Sequence, residues 1–183
     1  MLDRLGSLLA YPVAPREDSR AALAACAQGD PRVRVHVAAF AGAADRMPLV
    51  ELQELYTRTF DFASDAALYV GHQLFGEDGR RGLFMAGLVQ RYRNLGLPTG
   101  CELTDHLSLV LRSLACDPDS DEARDLVRYA VRPALEKMLP HVERRAPVYG
   151  AVLKAVTLAL EPSVPGTFGT ACAATAMPKV PGT

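Results

Sequence analysis

Tryptophan is absent from this 183-residue chain, cysteine occurs four times, and charge of neither sign is in surplus. Cys26, Cys101, Cys116 and Cys172 lie far apart, with no C-x-x-C pair and no histidine at zinc-finger spacing. They read as reduced, mostly buried thiols. The balance of 20 Lys+Arg against 21 Asp+Glu removes general electrostatic capture of nucleic acid. No apolar run approaches the ~18 residues of a membrane span. The opening MLDRLGSLLAYP carries Asp3 and Arg4 and reaches Pro12 before any long apolar run, which is not the layout of a secretory signal. A cytoplasmic protein without direct membrane insertion is the expectation.

Catalytic patterns are missing as well. Gly76, Gly79 and Gly82 do not form G-x-x-x-x-G-K-[ST], and no strand precedes them. His36, His72 and His141 form neither H-E-x-x-H nor H-x-x-x-H, and no G-x-S-x-G occurs. No cysteine sits in an evidently basic setting, and Glu102 next to Cys101 would raise that thiol's pKa. Asp105-His106 is the best metal candidate, but neighbouring helical positions point about 100° apart and do not readily chelate one ion. Glu102 and Asp105, read as i, i+3 on one helix face, can form a carboxylate pair for acid–base work, or simply a solvated helix start. The acidic run Asp117, Asp119, Asp121, Glu122 and Asp125 caps a following helix or meets a basic peptide.

What the chain does contain is helical periodicity punctuated by proline. The expected helices start near Asp3 and stop at Tyr11-Pro12, run from Glu17 to Gln28 with Gly29 as a left-handed cap, and from Asp30-Pro31 to Ala43. After Pro48, Leu49, Leu52, Tyr56 and Phe60 form one apolar face, while Thr57, Thr59, Asp61 and Phe62 have no such need of burial. Further helices are expected over Gly79 to Leu95 (Leu83, Phe84, Leu88, Tyr92 and Leu95 inward), Thr104 to Ala115, Ser120 to Lys137 with Pro133 kinking or splitting it, and Pro147 to Leu160. Residues 162 to 183 hold four Pro, three Gly, four Thr and no acid, and read as a loose tail or strap. The expected fold is all-α: one domain over 1–161, a bundle of about seven to nine helices, then the 162–183 tail.

Aromatic and polar groups at the helix ends of a bundle without a catalytic kit suit a binding module whose groove takes an amphipathic helix. Four stretches then resemble one family in order and approximate spacing: LLAYP (8–12), LQELYTRTFDF (52–62), LYVGHQLFGEDGRRG (68–82) and ELTDHLSLVLRSLA (102–115). They are similar to the nitrate reductase delta subunit (NarJ) family, within the TorD/DmsD group of redox-enzyme maturation chaperones, over roughly residues 1 to 160.

The resemblance implies a cytosolic, all-helical chaperone without enzymatic activity. Such proteins bind the N-terminal segment of an apo molybdoenzyme catalytic subunit, assist insertion of the molybdenum cofactor, and delay docking to the membrane partner. The cofactor is the client's, so the chaperone itself carries none and no metal. Asp105 and His106 match the family's acid-Pro-Asp-His segment tied to leader binding, with Thr104 in place of its proline. The resemblance adds Tyr56, Phe60, Asp61, Tyr69, His72 and Arg81, and a groove running from Tyr56–Asp61 to Glu102–His106. Gly71 stands where the family often has Trp, a glycine replaces an arginine in the 76–82 turn, and a second proline near Ser108 is missing. The favoured client is the respiratory nitrate reductase alpha subunit, with selenate, chlorate or dimethyl sulfide-type enzymes as alternatives. Monomer and domain-swapped dimer are both compatible with the Pro/Gly hinges. Two other classes remain beside it: a small metal-dependent hydrolase using Glu102, Asp105 and His106, and a permanent subunit of a complex.

Overall fold

The computed structural model describes residues 1–98, 100 and 102–161; Cys101, Cys172 and the expected tail lie outside them. The elements are α1 (Leu2–Leu8), α2 (Pro15–Ala25), α3 (Pro31–Arg46), α4 (Leu49–Phe60), α5 (Val70–Phe75), α6 (Arg80–Asn94), α7 (Leu107–Cys116), α8 (Asp121–Leu126), a π-helical turn (Val127–Val131), α9 (Arg132–Arg145) and α10 (Pro147–Ala159). Because α8, the π turn and α9 are continuous, the described residues form nine helical rods and no strand. The all-α expectation holds.

Local chemistry sets most helix starts. The Asp30 carboxylate accepts from the Arg32 backbone N–H at 2.8 Å, and Ser120 Oγ accepts from Ala123 at 3.1 Å. Pro15, Pro31 and Pro147 occupy first-turn positions that need no donor. Pro133 sits where the expected helix is interrupted by a π turn. It falls in the first turn of α9, after the π turn, so the rod continues to Arg145, with Pro140 inside it.

Other boundaries move for tertiary reasons. α1 ends at Leu8, short of Tyr11-Pro12, and the following strand of chain is held by α4: Tyr56 Oη donates to Leu9 O at 3.1 Å and Gln53 Nε2 to Pro12 O at 2.9 Å. α2 ends at Ala25, not Gln28, and Gly29 is no left-handed cap; positive φ falls on Gly76, Gly96 and Gly100. α5 was not expected at all, being only six residues long. Helix α7 begins at Leu107, so residues 102–106 are not helical. Leu49 (41% exposed) and Leu83 (77%) point to solvent, whereas Thr59 is buried, its hydroxyl returned to Leu55 O at 2.6 Å.

The core centres on α10, whose Tyr149, Val152, Leu153, Ala155 and Val156 are fully buried, packed chiefly on α3 and α9. Around Tyr149 the rings of Phe40, Tyr56 and Phe60 stand at 5.1–5.7 Å centroid separations, mostly edge-to-face. The second close packing is α1 on α7. There a Cβ on Gly6 would lie 2.9 Å from the Ser108 carbonyl oxygen, so the crossing needs glycine. Since the obstacle is backbone, Gly6→Ala is expected to lower unfolding free energy by about 1–3 kcal/mol in urea titration. Its urea slope should stay unchanged.

Candidate functional site

Two of the family-like stretches meet through backbone. Tyr69 and His106 form an isolated antiparallel bridge: Val70 N–H donates to Asp105 O and Leu107 N–H to Leu68 O, both at 2.8 Å. Tyr92 Oη, on α6, donates to Thr104 O at 2.7 Å and holds the incoming loop from the other side. The segment before α7 is thus pinned without being helical. The expected pairing of Glu102 and Asp105 on one helix face does not occur.

Asp105 is fully buried and faces Arg81, which reaches it with Nε at 2.9 Å and Nη2 at 3.3 Å. That hydrogen bond raises the Arg81 pKa and keeps the guanidinium charged. Gly71 makes room for the pair. A Cβ there would sit 2.8 Å from Asp105 Oδ2, 3.0 Å from Phe84 and 3.1 Å from the Arg81 stem. The absence of the aromatic residue at position 71 therefore has a steric cause within this chain. Arg81 also lies over the Tyr69 ring, 5.6 Å from its centroid.

His106 caps α7. The Ser108 backbone N–H can only donate, so Nδ1 accepts from it at 3.3 Å and the ring proton belongs on Nε2. Ser108 Oγ lies 2.7 Å from the same nitrogen. Burial depresses the His106 pKa below its ordinary value, against the opposing pull of Glu102, Asp105 and Asp61. The ring stands edge-on to Tyr69 at 5.3 Å. Tyr69 Oη donates to Glu102 Oε1 at 3.1 Å, and burial, then Glu102, pushes the phenol up to about 12.

Six of the nine expected site residues, Tyr56, Phe60, Asp61, Tyr69, Glu102 and His106, line one cavity of about 150 Å³. Asp105 and Arg81 stand behind it as the brace. His72 is separate: it faces Glu77, Nδ1 to Oε1 3.6 Å, on α5. Tyr11 and Leu68 complete the lining and were not expected. Tyr11 was legible as the aromatic of LLAYP, but periodicity gave no reason to place it beside α4. It is half exposed and also edges a shallower depression of about 620 Å³ with Val50, Gln53, Glu54, Thr57, Arg58 and Phe62, the last 81% exposed.

The arrangement presents aromatic walls, two acids and a wider apolar shelf. Among the described residues no group of three His, Cys, Asp or Glu side chains converges as metal ligands. The donor set of the hydrolase alternative does not fit an ion, because Asp105 is committed to Arg81 and His106 Nδ1 to Ser108. No helix among the described residues is long and apolar enough to cross a membrane.

An all-helical scaffold with an aromatic and acidic pocket is the architecture of a binding module. A protein of Bacillus subtilis (strain 168) described as "Probable nitrate reductase molybdenum cofactor assembly chaperone NarJ" is 32% identical to the chain over 111 residues. That stretch is 60% of this chain and 59% of the relative, so the chain spans about three fifths of the curated relative's length. No family model matches the chain. Over that stretch the chain is similar to this NarJ relative.

Two outcomes follow from the brace and the cap. Asp105→Ala, which strands Arg81, is expected to cost roughly 2–4 kcal/mol in urea unfolding, the lower part of the range for a broken buried pair because Arg81 is partly exposed. His106, with a folded-state pKa below the unfolded value near 6.5, contributes stability that is fully present above that value and lost as pH falls towards the folded pKa. His106→Asn, which keeps a capping side chain, should flatten the decline in urea midpoint between about pH 7 and pH 5.

Proposed function

We propose that this protein is an assembly chaperone for a molybdoenzyme, with the respiratory nitrate reductase alpha subunit as the favoured client, and that it acts before cofactor insertion and membrane docking. The observation that carries the reading is the convergence of Tyr56, Phe60, Asp61, Tyr69, Glu102 and His106, drawn from three separate stretches of sequence, on one cavity. The name of the Bacillus subtilis relative supports the same class of work.

The chemistry of the pocket supports this reading. Tyr56, Phe60, Tyr69 and Tyr11 offer apolar faces for one anchoring side chain, and the adjoining shelf offers Val50 and Phe62 for a second. Asp61 and Glu102 set a negative rim that favours lysine or arginine on the incoming segment. A basic, amphipathic N-terminal helix of the client fits both requirements. Binding there sequesters that segment while leaving the rest of the client accessible. The chaperone contributes position and timing, and no bond is made or broken by its own residues.

Calorimetric titration with the N-terminal peptide of the nitrate reductase alpha subunit tests this. Tyr69→Ala is expected to weaken binding about tenfold or more, as for a buried aromatic anchor. Asp61→Asn with Glu102→Gln should weaken it several-fold and reduce its salt dependence. Unchanged affinity in both variants would remove the cavity from the client site.

A further inference from the structure

A second groove lies at the far end of α7 from His106, a helix about 15 Å long. Its volume is about 430 Å³, and its floor is apolar, with Leu2, Val127 and Leu160. Arg124, Arg128 and Arg132 line one side. In an uninterrupted α-helix Arg132 would stand about 80° round from Arg124. The π turn, Val127–Val131, lies between them and changes that register, and Arg124, Arg128 and Arg132 all line the groove. The wide turn thereby arranges three cations along one edge.

Two of these cations are unanswered. Arg124 bonds Asp121 at 2.6 Å, but among the described residues Arg128 and Arg132 have no carboxylate partner; Arg128 only overlies the ring of Tyr129. Of the acids lining the groove, Glu161 is paired with Arg32 at 2.9 Å and Asp119 is unpaired. Over the lining, three arginines stand against Asp119 and Glu161, a surplus of one positive charge, while Asp121, paired with Arg124, Glu122, paired with Arg91, and Asp125 lie outside it. The groove asks for apolar side chains below and carboxylates above. Residues 162–183, which follow Glu161 in the sequence, contain no Asp or Glu.

We propose that this groove is a docking surface for an acidic amphipathic helix of a partner protein, separate from the aromatic pocket. Apolar side chains at i, i+3 or i+4 and i+7 occupy the floor, and carboxylates along one flank meet Arg128 and Arg132. The attraction is salt-sensitive, since Arg128 is solvent-exposed.

The probe is a synthetic helical peptide with Leu at those spacings and Glu on one flank, and a matched peptide with Lys in place of Glu. Fluorescence anisotropy gives affinity, and hydrogen exchange locates binding. The Glu peptide is expected to saturate the full chain, to protect residues 123–132, and to bind at least tenfold more weakly to the Arg128→Glu, Arg132→Glu variant. The Lys peptide should protect 123–132 in that variant and not in the wild type. Arg128 is exposed and Arg132 half-buried, so Arg128→Gln with Arg132→Gln provides the same comparison if charge reversal disturbs folding. Absence of saturable binding, protection elsewhere, or affinity indifferent to the arginines overturns the proposal. So does tripolyphosphate or an anionic lipid vesicle protecting 123–132 where the Glu peptide does not. Arginine-dependent dimerisation in sedimentation would assign the groove to a second copy instead. Tenfold tighter peptide binding after Val164→Ser with Phe168→Ser in the full chain would assign it to the chain's own last residues.

Discussion

A carboxylate taken wholly out of water is tolerated only when charge and hydrogen bonds replace its hydration, and Asp105 satisfies that condition through Arg81. Much of the site depends on this pair. Arg81 belongs to α6, Asp105 to the segment before α7, and Gly71, on α5, leaves the space between them. α5, α6 and the segment before α7 are thereby tied at one point. The backbone bridge between Tyr69 and His106 then fixes which faces of those residues look outward. The pocket's back wall is an ion pair and its side wall is paired backbone.

The aromatic cluster supplies the complementary constraint. Tyr149 is fully buried, and its rings' neighbours Tyr56 and Phe60 are shared between the core and the pocket. Burial, with Asp61 and Glu102 nearby, drives the Tyr56 pKa far up, so the hydroxyl stays protonated and donates to Leu9 O. One side chain thus serves as core filler, as a tether for the segment after α1, and as a lining of the site. Function here is an extension of packing.

Much of this was legible in the sequence. Helical periodicity and proline placement gave the all-α class and most rods, because those signals are local. The 102–106 segment misled for the same reason: Glu, Thr, Asp and His preceding an apolar run read as a helical first turn, and nothing local reveals that Val70, Tyr92 and Arg81 take up its polar groups instead. Asp105 consequently looked like a surface acid and is a buried one. Thr59 looked available and is buried, since a hydroxyl can return its hydrogen bond to its own helix. The resemblance to the chaperone family found most of the lining that physics alone left undecided, while Tyr11 emerged only when α4 was seen to hold the segment beside it. The π turn has no recognisable local pattern, and the groove it shapes became visible only in three dimensions.

The space at Gly71 has an inheritance of its own. Any side chain there displaces the Asp105 carboxylate or the Arg81 stem, and loss of either charge leaves the other without its counterpart. Positions 71, 81 and 105 are therefore one character distributed over three codons. A substitution at position 71 alone is therefore felt at 81 and 105 as well, although neither of those residues has changed.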